Sequence, residues 1–227
     1  MQVINGKEVF TTIKELADPG YTALLLIDIQ NDYITRGGIR GGLGDQFVLG
    51  QFVPNVKRVL EAARHSDILI VYLQFTMHPN FMAESPASLR GRLLRMGYKN
   101  GDSIDKLVPY CIDGTWGWQI IDELAPLPSE TVIKKHRNSS FIGTSLDMIL
   151  SSNGIKSVVI VGLVTHACVL ATAIDAQSFG YCSIILRDCV ISHKPMLHDA
   201  ALLVMSESKD VVDSREILKV WDKGTLR

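Results

Sequence analysis

The sequence predicts a three-layer α/β/α sandwich, Rossmann-like, around a mainly parallel sheet of five or six strands. Apolar runs recur along the 227 residues, and segments of helical spacing separate them. The runs are apolar at consecutive rather than alternate positions, the mark of strands buried on both faces. Right-handed crossovers between such strands place helices on both sides of the sheet.

Taken in order, "TALLLID" (22–28) is an apolar strand that ends in an acid, and "FVPNVKRVLEAARH" (52–65) is an amphipathic helix. Its Phe52, Val53, Val56, Val59, Leu60 and Ala63 share one face. "DILIVYLQF" (67–75) is a second strand. Residues 76–115 are irregular, rich in Pro, Gly and basic side chains, and read as a lid or loop region with a short helix. "GTWGWQIIDEL" reads as a turn into a short helix, "ETVIKKH" (130–136) as a third strand, and "GTSLDMILSSNG" as a helix stopped by Gly154. "KSVVIVG" (156–162) is a fourth strand, followed by a turn and a helix through Cys168 that ends near "SFGY". "CSIILRD" is a fifth strand, "KPMLHDAALLVMS" a helix and "DVVD" a brief last strand. No repeat or linker divides the chain, so residues 1–227 read as one domain with an N-terminal extension over 1–20.

Composition narrows the function. Lys plus Arg number 23 and Asp plus Glu 24, a net charge of −1, which gives no global electrostatic attraction to nucleic acid or an anionic membrane. The start, "MQVINGKEVFTT", lacks a basic flank and an apolar core, and no apolar run approaches a membrane span, so a cytoplasmic protein is expected. The four cysteines, Cys111, Cys168, Cys182 and Cys189, form no C-x-x-C pair. Cys111, Cys182 and Cys189 read as packing residues.

Sheets of this kind bind ligands at the carboxyl ends of their strands. Asp28 ends the first strand, Lys134 and Lys135 the third, and the fourth leads to Cys168. A cysteine in the first turn of a helix meets unpaired N–H groups and the positive end of the dipole, which favour the thiolate and receive an oxyanion. Thr165 stands where it could cap that helix. A carboxylate there can take the thiol proton and pass it to a leaving amine, while a lysine holds it ionised. Residue types and spacing alone leave each of these open to a packing or capping role.

Those residues also carry a resemblance. "LLLIDIQNDY" resembles the D-x-Q-x-D-[FY] opening of the isochorismatase-like cysteine hydrolases. "KHRNSSF" (135–141) is similar to their K-x-R-x-S-x-F segment, and "GLVTHACV" (162–169) to their G-x-x-T-x-x-C-V segment. The resemblance spans about residues 20 to 215. It implies an Asp–Lys–Cys triad at Asp28, Lys135 and Cys168, and a non-proline cis peptide at Leu163–Val164. The backbone N–H groups of Val164 and Cys168 would form the oxyanion hole. Adjacent strand residues face opposite sides, so only one of Lys134 and Lys135 can face the site, and the family spacing selects Lys135. Gln30 and Asp32 match the signature and read as loop-fixing residues. His198, within an apolar helix, reads as a satisfied histidine.

Nicotinamidases of the superfamily carry a metal site in a D-x-H-P-x-x-H pattern. Here "TMHPNFM" puts Thr76 in place of the acid, keeps His78 and has Met82 for the second histidine. No metal and no other cofactor is expected, since one histidine falls short of three or four ligands. The resemblance then points to the branch that hydrolyses linear amides and ureido compounds, such as N-carbamoylsarcosine, ureidoacrylate or biuret. Its implied partners are a small-molecule substrate and further copies of the chain in a homodimer or homotetramer. Tyr33, Trp116, Arg137 and His166 are candidate substrate contacts. Alternatives are a nicotinamidase, an isochorismatase-type hydrolase and a non-catalytic scaffold subunit. The glycines of "RGGIRGGLG" (36–44) fit neither G-x-G-x-x-G nor a phosphate-binding loop and read as a loop near the site entrance.

Overall fold

The computed structural model describes residues 2–39, 48–80, 85, 87, 92 and 109–221. Most of the expected lid region (81–84, 86, 88–91 and 93–108) and residues 40–44 of the glycine stretch lie outside the described residues. The chain opens with an antiparallel hairpin of β1 (Gln2–Ile4) and β2 (Lys7–Val9), then helix α1 (Ile13–Leu16). The expected extension therefore has regular structure. Thr12 caps α1 reciprocally with Glu15.

The main sheet comprises β3 (Thr22–Ile27), β4 (Leu69–Phe75), β5 (Thr131–Lys135), β6 (Ser157–Leu163), β7 (Cys182–Ile191) and β8 (Asp210–Val212). All five pairings are parallel, in the order β5-β4-β3-β6-β7-β8. Helices α2 (Asn31–Ile34), α3 (Val53–His65), α4 (Leu146–Ser152), α5 (Leu170–Ser178), α6 (Pro195–Ser206) and α7 (Ser214–Trp221) complete the fold.

Alternation along β3 builds two cores. Leu24 and Leu26 pack with Val56, Leu60 and Trp221 on one face, while Leu25 and Ile27 pack with Leu146, Leu150 and Ala173 on the other. This is the α/β fold expected from the consecutive apolar runs. The order runs outward from β3 in one direction through β4 and β5, and from β6 in the other through β7 and β8. The order reverses between β3 and β6, and sheets of this kind bind ligands beyond the strand ends at such a switch.

Two elements differ from the sequence expectation. β7 continues to Ile191, past the charged Arg187 and Asp188 that resemble a strand end. The strand shifts register opposite Gly162, and the Asp188 carboxylate accepts hydrogen bonds from the Ser214 N–H (2.8 Å) and hydroxyl (2.6 Å) at the start of α7. The sequence expectation did not include α7, although its Ile217 and Trp221 are buried on one face. The helix is anchored by Trp221, whose indole N–H donates to Ala17 O at 2.8 Å. Among the described residues no helix is long and apolar enough to cross a membrane.

Gly162 holds the switch point closed. Its φ is +120°, and an added Cβ would stand 2.1 Å from Ile27 O. Gly162→Ala therefore forces β3 and β6 apart, and a loss of about 4 kcal/mol or more is expected. Urea unfolding measures it. A loss below about 1 kcal/mol would mean that the strands have room to spare.

Candidate active site

Asp28 follows β3 in the left-handed region, at φ +55°, a conformation uncommon outside glycine. Its N–H donates to Leu73 O at 2.8 Å, and its Oδ1 accepts from the Phe75 N–H at 3.0 Å. The end of β4 thus fixes both backbone and carboxylate. Oδ2 lies 2.9 Å from Lys135 Nζ. Lys135 ends β5, two strands from β3, and reaches across the Phe75 ring, whose centroid is 5.3 Å from Nζ. Its ammonium also donates to the carbonyls of Arg137 (3.1 Å) and Asn138 (3.3 Å). The pair is buried, with side-chain exposures of 0% and 1%. Lys134, on the other face, is half exposed and paired with Asp113 at 2.8 Å.

Cys168 lies on the turn after β6. The chain enters through a π turn (Thr165–Val169) before α5 begins. The Val164 carbonyl accepts from the N–H groups of Ala167 (2.9 Å) and Val169 (3.3 Å). The Leu163–Val164 peptide is cis. Cys168 is buried, at 6% exposure. Its Sγ is 3.9 Å from Asn138 Oδ1. Ser140 ties the β5 loop to α5, its N–H donating to Thr172 Oγ1 at 3.0 Å.

Burial pushes the Cys168 thiol up, to about 12, and the Asp28 charge adds to the rise against Lys135. The resting sulfur is therefore a thiol, which corrects the expected thiolate. Desolvation and a neighbouring carboxylate outweigh the helix terminus. Burial also raises Asp28 above its ordinary 3.8, opposed by Lys135. For Lys135, burial acts to lower the pKa, but the Asp28 charge wins and the ammonium is held.

The structure brings Asp28, Lys135 and Cys168 together and sorts their neighbours. Gln30 and Asp32 fix the loop. Gln30 Nε2 donates to Phe75 O (2.9 Å) and Trp118 O (2.7 Å), and Asp32 accepts from the N–H groups of Cys111 (2.6 Å) and Ile39 (3.1 Å). Thr165 does not cap the helix. Val164 stands at that position, and the Thr165 hydroxyl pairs with His198 Nδ1 at 2.9 Å. Tyr33 is buried near Asp28 and Cys168, edge-on to Tyr110. Trp116 is half exposed and holds the loop through its carbonyl, which accepts from Asn31 Nδ2 at 3.0 Å. Arg137 Nη1 donates to His136 O (2.8 Å), and His166 Nδ1 pairs with Ser192 Oγ (2.8 Å). None of these last three bonds runs to Asp28, Lys135 or Cys168. Phe75 and Asn138 are site residues that sequence reasoning missed. Asn138 lay inside the quoted "KHRNSSF" at a position the family motif leaves free.

Among the described residues no three His, Cys, Asp or Glu side chains are placed to hold a metal ion. Thr76, where the acid of the metal pattern would stand, donates its hydroxyl to Gln74 O (3.0 Å) and accepts from Trp118 Nε1 (2.9 Å). His78 stacks on His136, with centroids 5.1 Å apart. Met82 lies outside the described residues.

The profile described as Isochorismatase domain matches residues 22–216, and the chain belongs to the isochorismatase family. An isochorismatase-like hydrolase from Alkaliphilus metalliredigens superposes with a TM-score of 0.73 at 27% identity, over 88% of this chain and 99% of that one. N-carbamoylsarcosine amidase from Thermoplasma acidophilum gives 0.64 at 29%, over 86% and 96%. Pyrazinamidase of Pyrococcus horikoshii, solved in complex with zinc, gives 0.68 at 28%, over 85% and 98%.

Proposed function

We propose that the protein hydrolyses a C–N bond of a small linear amide or ureido compound through a covalent intermediate on Cys168. The carrying observation is the buried Asp28–Lys135 pair, 2.9 Å apart, beside the Cys168 turn. An isolated ion pair is costly to bury, and a proton-transfer role accounts for its place beside a thiol.

The Cys168 S–H gives its proton to Asp28 as sulfur bonds to the substrate carbonyl carbon. The oxyanion is received by the N–H groups of Val164 and Cys168. As the tetrahedral species collapses, the C–N bond breaks and Asp28 returns the proton to the departing nitrogen. Water then attacks the thioester carbonyl, giving a proton to Asp28, and the C–S bond breaks as the thiol is restored. Lys135 stays an ammonium throughout and stabilises the Asp28 carboxylate. Amide chemistry is favoured by the names of two relatives, N-carbamoylsarcosine amidase and pyrazinamidase. A cytosolic setting suits four free cysteines. Assembly into homodimers or homotetramers is supported by the exposed Met196, Leu203 and Val204 of α6.

An ammonia-release screen over ureido acids, biuret, aliphatic amides and nicotinamide tests the proposal. Turnover of linear compounds, lost in Cys168→Ala and unaffected by chelation, is expected. Turnover of nicotinamide alone, lost on chelation and restored by Zn²⁺, would replace it with the nicotinamidase reading.

The pH dependence has a defined sign. Asp28 must be ionised to accept the proton, and burial raises its pKa, so kcat/KM falls on acidification with a midpoint above 3.8. Cys168 near 12 and a raised Lys135 add no loss below about pH 10. A bell-shaped profile with an alkaline midpoint near 8 would contradict this assignment.

A further inference from the structure

We infer that Asn138 is a specificity-determining residue that selects ureido compounds over simple carboxamides, an inference resting on the proposed Cys168 chemistry. Asn138 follows Lys135 on the β5 loop, and its carbonyl oxygen helps hold the lysine ammonium at 3.3 Å. Its side chain is exposed, yet its Oδ1 is 3.9 Å from the Cys168 sulfur and accepts from the resting thiol. The backbone is thus held by Lys135, while the exposed residue's amide reaches the sulfur.

Attack brings the scissile carbon to roughly 3–3.5 Å from sulfur and takes the thiol proton away to Asp28. Asn138 Oδ1 then loses its donor and lies beside a substituent of the scissile carbon. A carbon bearing two nitrogens satisfies both sides of the cleft. One nitrogen faces Asp28 and leaves, and the N–H of the other donates to Oδ1. A carboxamide presents a methylene there and leaves the acceptor without a partner as the substrate closes the cleft. Sites built to hydrogen-bond an N–H discriminate against analogues that lack it.

N-carbamoylglycine and succinamate test this, because they differ by N–H against CH₂ beside the same carbamoyl carbon. Whichever C–N bond of the ureido compound breaks, ammonia is released, directly or from carbamate. The wild-type protein should prefer N-carbamoylglycine in kcat/KM, and Asn138→Ala should shrink that preference by about 10- to 100-fold. Asn138→Asp, which keeps an acceptor oxygen, should retain more of it than Asn138→Ala. A thermal melt of each variant guards against a folding defect, which would lower both rates together and leave the ratio intact. A ratio unchanged in Asn138→Ala, with turnover lost in Cys168→Ala, would overturn the Asn138 assignment alone. Turnover equal in Cys168→Ala and wild type would overturn the underlying covalent reading. No ammonia from N-carbamoylglycine would overturn the ureido preference.

Discussion

Replacing Lys135 by methionine is expected to lower turnover by about 10³-fold and stability by about 3–5 kcal/mol at neutral pH. Both effects follow from the burial of Lys135 and Asp28, at 0% and 1% side-chain exposure. The variant leaves a carboxylate without its counter-charge and strips the Arg137 and Asn138 carbonyls of their shared donor. The Asp28 carboxyl responds by taking up a proton, which ends its service as a base. The sign of the stability change is then fixed. Asp28 is already raised by burial, and without Lys135 it rises further above its unfolded value. A group raised in the folded state adds stability below its unfolded pKa and loses it as pH climbs through the folded one. Urea unfolding of Lys135→Met should therefore show a deficit that shrinks on acidification. A deficit independent of pH would mean that packing, not charge, is what the lysine supplies.

Cys168→Ala is expected to cost about 10⁴-fold or more in turnover while the fold persists. The alanine keeps the β-carbon in the buried cluster and loses the sulfur's interactions with Asp28, Lys135 and Asn138, the last at 3.9 Å. The Asp28–Lys135 pair remains neutralised in the variant, and a stability change within about 1 kcal/mol should result. The contrast with Lys135→Met is informative. Both variants are inactive, but only the lysine variant is destabilised. Residual turnover within tenfold of wild type would remove the sulfur from the chemistry.

The sheet was legible because burial on both faces writes a consecutive apolar code into β3, β4 and β6. The ends of elements were less so. Arg187 and Asp188 resemble a strand terminus, yet β7 runs on to Ile191 because the register shift opposite Gly162 accommodates them. The helix at 214–221 is only eight residues long, and Trp221 and the Asp188 carboxylate hold it from afar.

At the site, Asp28, Lys135 and Cys168 were accessible from strand ends and motif spacing, and the structure places them together. Spacing could not give the state of the sulfur. The helix terminus argued for a thiolate, but burial is a three-dimensional quantity and holds the thiol protonated. Thr165 was misplaced for a similar reason. Its natural capping role yields to His198, which arrives from α6, far along the chain. Asn138 and Phe75 carry no chemistry of their own in sequence and matter only through what lies within 3.9 Å and 5.3 Å of them.

The most direct measurement is mass spectrometry of the enzyme acid-quenched during turnover of the best compound from the ammonia screen. A mass increase equal to the acyl or carbamoyl group, mapped to the peptide bearing Cys168 and absent from Cys168→Ala, is the predicted result. Sustained turnover with the Cys168 peptide unmodified, and ammonia still released by Cys168→Ala, would contradict covalent catalysis at this sulfur.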